Sequence, residues 1–281
     1  MKPGENVVPR GSEAASGAVA LPAGRRLGYA EIALLASFGR ATVPVFRRPR
    51  VAILPTGDEV VELDRKPLPF QIRNSNSYSL RAQVAAAGGR PCPLPIAPDE
   101  YARLRPLIED GLTTDLLLLS GGVSMGKYDL VEQVLRDLGA EFYFDSVAIQ
   151  PGRPLVFGRA HGTFFFGLPG NPLSTMVTFE LFGRPALELL AGAEPPPLVF
   201  LRARLGHPFR HKPGLTRFLP AVLSPGSGKN TGADFEPTVR ALAWQGSGDI
   251  VALTRADCYL VVPEDRAELA EGELVGVLPR S

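Results

Sequence analysis

The chain has few of the residues that build metal and redox centres. Its 281 residues include two cysteines, Cys92 and Cys258, and three histidines, His161, His207 and His211. The cysteines stand far apart with no C-x-x-C spacing, so they read as reduced thiols and not as a redox pair or disulfide. No H-x-x-x-H pair is backed by a Cys or an acidic partner, which argues against a zinc site. Neither sign of charge dominates: 30 Lys and Arg face 29 Asp and Glu, for a net charge of +1. A general nucleic-acid binder would show a basic excess, so that class is excluded, while a local anion pocket is not. No apolar run approaches the ~20 residues that span a bilayer. The N-terminal MKPGENVVPRGSEAASG has no apolar core of a signal peptide. The expectation is a cytoplasmic protein with neither membrane nor nucleic-acid partners.

What is present is an alternation of short apolar runs and helical patterns. The first 49 residues carry one helical stretch, Tyr29 to Phe38, closed by Gly39, and too few apolar residues for a core of their own. From Arg50 onward, strands are expected at 51–54, 93–96, 116–119, 154–158 and 163–167, with further extended chain over 142–149. Helices are expected over 76–87, 99–110, 130–138 and from Leu173 to about Leu190. Strands and helices in alternation predict a parallel sheet covered on both faces, a three-layer α/β domain over 50–193. The prolines at Glu194–Pro197 mark a boundary. Beyond it, short strands separated by Gly, Pro and Asp turns predict a small all-β, barrel-like domain over 198–281.

In a parallel α/β sheet, ligands bind beyond the carboxyl ends of the strands. Three polar loops leave such ends: PTGDE (Pro55–Glu59), IAPDE (Ile96–Glu100) and SGGVSMGKYD (Ser120–Asp129). Their acids suit a divalent cation, and their hydroxyls and glycine amides suit an anion. Asp99, lying just before a helix, equally fits an N-cap. The third loop contains G-x-x-x-x-G-K, but Tyr128 replaces the Ser or Thr that a P-loop places on Mg²⁺. That excludes a plain P-loop hydrolase and leaves a different phosphate cradle with its own acid, Asp129. LPGNP (Leu168–Pro172) forms a fourth turn, with Pro172 suited to a first helical position and the free N–H groups of that helix start available to an anion.

TGDE, the IAPDE turn, SGGVSMGKYD, QPGRP and LPGNP, in this order, resemble the MoeA family of molybdopterin molybdenumtransferases, to which the C-terminal region of gephyrin belongs. The SGG-x-S-x-G-x-x-D loop alone is shared with molybdopterin adenylyltransferases and CinA-like proteins. The resemblance implies a molybdopterin-binding domain and insertion of molybdate into adenylylated molybdopterin, with AMP released and Mg²⁺ assisting. It implies catalytic acids at Glu59, Asp99 and Asp129, with Asp99 and Asp129 also on the metal. It implies substrate contacts from Thr56, Gly57, Asp58, Asn76, Ser120, Gly121, Gly122, Ser124, Gly126, Arg153, Pro169, Gly170, Asn171, Pro172, Ser174, Arg217 and Ser247. It also implies a homodimer and a molybdopterin adenylyltransferase as partner.

Two departures from the family pattern stand out. Gln150–Pro151–Gly152–Arg153–Pro154 replaces the K-P-G-K-P of many members, and Ser146 stands where a further Lys is usual. Residues 1–49 resemble only a remnant of a β-rich domain plus a connector helix, with Glu13 in place of a family Asp. Two other readings remain open at this point: a pterin-binding scaffold without turnover, and an adenylyltransferase using ATP and Mg²⁺.

Overall fold

The computed structural model describes residues 5, 7–121, 130–193, 198–226 and 236–280. The chain divides into two compact units, one holding the stretch up to Phe46 together with Gly192, the other holding most of the rest. In the first unit, helix α1 (Tyr29–Ser37) is started by the Gly28 N–H donating to Glu31 Oε2 at 2.9 Å. None of its residues is buried.

The second unit begins with β1 (Arg50–Pro55), a small parallel pair β2 (Val60–Val61) and β3 (Ile72–Arg73), and α2 (Ser75–Ala86). It continues through β4 (Arg90–Pro93), α3 (Tyr101–Gly111), β5 (Leu116–Ser120), α4 (Leu130–Asp137), β6 (Glu141–Phe144) and β7 (Ile149–Gln150). Next come β8 (Val156–Ala160), β9 (Thr163–Leu168), α5 (Pro172–Thr178), a π-helical turn over Phe179–Gly183, and α6 (Arg184–Leu190). The sheet order is β4-β1-β5-β9-β8-β6. The first four strands are parallel, as the alternation predicts, and the edge adds β8 and β6 antiparallel.

Period-two alternation splits the strands cleanly between two cores. Ala52, Leu54, Leu117 and Leu119 face α3 and α4 through Leu104, Ile108, Val131 and Val134. Val51, Ile53, Leu116 and Leu118 face Leu80 and Val84 of α2, with Phe179 and Leu187. Each such fully buried aliphatic contributes about 1.5–3 kcal/mol, which is why LLLL reads as a central strand. Three layers result.

Two expectations are corrected. The strand placed at 93–96 lies at Arg90–Pro93, because Pro91 and Pro93 lack an N–H and are tolerated only on an edge, which β4 is. The long helix after LPGNP is not uniformly α: it passes through the π turn, where Glu180, only 3% exposed, pairs with Arg184 at 2.8 Å.

The C-terminal part contains β10 (Leu201–Leu205), β11 (Phe209–Arg210), β12 (Thr216–Ser224), β13 (Thr238–Ala241), α7 (Ile250–Arg255), β14 (Cys258–Val262), β15 (Glu268–Leu269) and β16 (Leu274–Pro279). The order β13-β10-β16-β14-β12 closes through β12–β13 pairing into a barrel around Leu205, Leu219, Leu260 and Val277. Among the described residues, an apolar seam and a strand pairing join barrel and α/β layers. Leu173, Val177 and Leu181 pack with Phe218, Leu253, Tyr259 and Leu278. In addition, β7 leaves the α/β part and pairs in parallel with β12, Thr216 opposite Ile149 and Arg217 opposite Gln150.

Candidate functional site

The crossovers from β1 place β4 on one side of it and β5 on the other, so the sheet changes winding direction between β1 and β5. A crevice forms at the carboxyl ends of strands at such a point. Thr56 and Ser120, both buried, lie there. The Thr56 N–H donates to Ser120 O at 3.0 Å, and Thr56 bridges to Ala97. Gly121, at φ +93°, passes so close to the Thr56 carbonyl that no side chain fits between them. From the other direction, Gly170 of LPGNP lies against Gly121: a Cβ on Gly170 would come 3.7 Å from Gly121 Cα.

Asn76, in the first turn of α2, reaches into this crossing. Its Nδ2 donates to Ser120 Oγ at 2.9 Å and to Gly170 O at 2.8 Å. Asn76 Oδ1 and Thr56 Oγ1 are buried without a hydrogen-bond partner among the described residues. Thr175 holds the neighbouring carbonyl, its Oγ1 donating to Pro169 O at 2.5 Å. The acids of the first two loops gather at the β1 and β4 ends. Asp58 Oδ1 accepts from the Asp99 N–H at 3.1 Å, and the Glu59 carboxylate lies over Gly57. Both aspartates are exposed.

A second feature lies where β7 meets the barrel. A cleft of about 750 Å³ is lined by Ser146, Val147, Ala148, Gln150, Arg153, Lys212, Pro213, Gly214, Leu215 and Arg217. Among the described residues that line it are three cations and no carboxylate. The Arg217 Nη2 donates to Lys212 O at 3.4 Å, and its Nε is buried with no partner among the described residues. An arginine donor held out of water without a protein acceptor is chemically suited to an oxyanion. The register of Arg217 opposite Gln150 brings cations from distant parts of the sequence to one opening.

Helix α5 links the two features. Gly152, at φ +109°, packs so that a Cβ would meet Thr178 Cγ2 and come 3.7 Å from Ser174 O. The Leu173 N–H donates to Ser247 O at 2.9 Å. This narrows the expectation of free N–H groups at the start of α5, because the Leu173 N–H is engaged by the barrel. Ser247 therefore sits at the docking point of α5 and is not among the residues lining the cationic cleft. The N-cap reading of Asp99 is also corrected. Glu100 precedes α3, without a side-chain cap bond, and the side chain that engages a backbone N–H in this region is Asp58.

Gly122, Ser124, Gly126 and Asp129 lie outside the described residues, as does Tyr128. Among the described residues no group of three His, Cys, Asp or Glu side chains is placed to hold a metal ion. Lys212 was missed in the sequence reading. Its signal is the cationic turn His211–Lys212–Pro213–Gly214 leading directly into the strand that carries Arg217.

The parallel sheet with its crevice at the β1/β5 switch is a ligand-binding type of α/β domain, here joined to a β barrel. Comparison with known proteins agrees. Residues 52–189 match the family described as a probable molybdopterin binding domain. Residues 202–279 match the MoeA C-terminal region (domain IV), and residues 1–39 match the MoeA N-terminal region (domain I and II). The chain belongs to the MoeA family. It is 32% identical over 276 residues to a molybdopterin molybdenumtransferase of Bacillus subtilis, covering 98% of this chain and 63% of that one. It is 34% identical over 275 residues to a protein of the same name from Synechocystis, covering 97% and 66%. A solved molybdopterin biosynthesis MoeA protein from Pyrococcus horikoshii superposes with a TM-score of 0.76 at 32% identity, over 92% of this chain and 61% of that one. This chain thus spans less than two thirds of these relatives. No helix among the described residues is long and apolar enough to cross a membrane.

Proposed function

We propose that this chain inserts molybdate into adenylylated molybdopterin, with cleavage of the pterin phosphate–AMP bond and release of AMP. The observation that carries this reading is the acid-free cleft of Arg153, Lys212 and Arg217, joined through α5 to the switch-point crevice. A molybdate dianion meets three cations there, one with an unpaired buried N–H. The crevice takes the phosphate-bearing ligand, with Thr56, Gly57, Ser120, Gly121, Gly170 and Asn171 beside it. Gly122, Ser124, Gly126 and Asp129 extend this cradle by sequence. Pro169, Pro172 and Ser174 shape the turn, and Ser247 seats α5 on the barrel.

Mg²⁺ fits the chemistry of the exposed oxygen donors: Asp99 with Asp129 would hold it, Asp58 and Glu59 flanking, and it would screen phosphate charge when bound. Glu59 and Asp99 stand beside the crevice as acids able to handle a proton. We assign residues 50–193 to the molybdopterin-binding domain and 198–281 to the barrel. The reading also carries a cytoplasmic homodimer supplied with substrate by a molybdopterin adenylyltransferase.

The test is molybdate-dependent AMP release with Mg²⁺ by the wild type and by Arg153→Ala and Arg217→Ala. Each substitution removes a charged hydrogen-bond donor, so the molybdate KM should rise roughly tenfold. Release that is independent of molybdate, or indifferent to both arginines, sinks the reading. The neutral Gln150 and Ser146 in the cleft favour a second reading, a binding protein without turnover. It would show as tight binding of adenylylated molybdopterin with no AMP released.

A further inference from the structure

We propose that Asn76 is a positioning residue that sets the spacing between the two loops of the crevice, and does so by giving up its own acceptor. Four observations carry this. Both N–H bonds of its carboxamide are used, one on Ser120 Oγ and one on Gly170 O. The orientation is fixed by chemistry, because Gly170 O can only accept, so the amide nitrogen has to face it. Oδ1 is left buried, with no partner among the described residues, as the consequence. A buried acceptor without a partner is a standing cost, so the double donation has to outweigh it.

The remaining two observations concern what is being held. Gly121 and Gly170 are backbone neighbours across the crossing, with no side chain between them to act as a spacer. Asn76 is therefore the side chain that ties the end of β5 to the LPGNP turn, while Thr175 ties the same turn to α5. The start of α2 does not depend on Asn76. Asn74 is the N-cap, its Oδ1 accepting from the Ser77 N–H at 3.2 Å. The clamp and the helix start are separate devices, carried by residues two apart in the same first turn.

The consequence for function rests on the reading given above. A ligand spanning both loops is bound by donors whose separation Asn76 sets, whereas the cationic cleft, built from β7 and β12, does not depend on it. Two variants test this in the full chain. In Asn76→Ala, hydrogen exchange of the backbone should quicken around both Ser120 and Gly170, with the Tm lowered by only a few degrees. In Asn76→Asp, nearly the same size, a carboxylate oxygen still accepts from the Ser120 hydroxyl but has no donor for Gly170 O. Exchange should then quicken around Gly170 alone. In the turnover assay the KM for adenylylated molybdopterin should rise roughly tenfold in Asn76→Ala, with the KM for molybdate unchanged. Unaltered exchange at both loops overturns the clamp, as does a parallel rise in both KM values. Absence of turnover in the wild type itself would refute the proposed function, and exchange would still decide the clamp.

Discussion

Replacing Gly121 with alanine probes the closest approach in the crevice. At φ +93° a residue with a side chain is strained, at a cost of roughly 1–3 kcal/mol. The new Cβ also collides with the Thr56 carbonyl oxygen. That carbonyl cannot swing aside freely, because the Thr56 N–H is bonded to Ser120 O and Thr56 is bridged to Ala97. Breaking one of these links costs about 1 kcal/mol more, so the total is roughly 2–4 kcal/mol. Gly139 supplies the control. Its φ is +72°, but nothing lies within 4 Å of its would-be Cβ, so alanine there meets strain alone, about 1 kcal/mol. In equilibrium urea unfolding with a slope of roughly 2–3 kcal/mol per M, Gly121→Ala should lower the midpoint by about 1 M and Gly139→Ala by less than about 0.5 M. Equal shifts for the two variants would refute the collision argument.

Two further outcomes follow from charge and burial. Asp115 accepts from the Arg47 guanidinium and from the Arg50 N–H, and the Arg47 bond above all holds its pKa below the usual carboxylate value. Its contribution is present above the unfolded pKa of ~3.9 and is lost as pH falls through the lower, folded value. Asp115→Asn should therefore cost about 1 kcal/mol at pH 7, after allowing for screening of the exposed Arg47, and nothing in strong acid. A difference from wild type that persists undiminished at low pH would contradict the pairing. For the cysteines, burial pushes the Cys258 thiol up to about 12, while Cys92 is half-buried on the edge strand. An alkylating reagent at pH 8 should label one cysteine in the native protein and both after unfolding; rapid native labelling of Cys258 would count against its burial.

What was legible in the sequence was local. Runs such as VAIL and LLLL announced central strands because both of their faces are apolar, and the polar loop after each marked the crevice. The barrel strands were readable from spacing and turns in the same way. What was not legible was set by partners far along the chain. A two-residue strand at Ile149–Gln150 carries no pattern of its own and exists because β12 pairs with it. Lys212 gained its place in the cleft from that pairing. The engagement of the α5 start by Ser247 likewise depends on how the barrel docks. The π turn arises within a stretch whose apolar spacing suits an α-helix, and its buried Glu180–Arg184 pair is a tertiary feature.

The pairing of β7 with β12 has a consequence for the order in which the molecule is made. During synthesis the α/β layers emerge first, carrying Gln150 on a strand whose partner has not yet been translated and Arg153 three residues beyond it. Lys212 and Arg217 arrive only with the barrel, so the anion opening is assembled last, after the sheet that positions it has had time to form. A nascent or truncated chain ending before the barrel would keep the crevice loops but leave β7 unpaired and Leu173, Val177 and Leu181 uncovered. Such a fragment lacks Lys212 and Arg217, so the cationic cleft is completed only by the part of the chain that folds as the barrel.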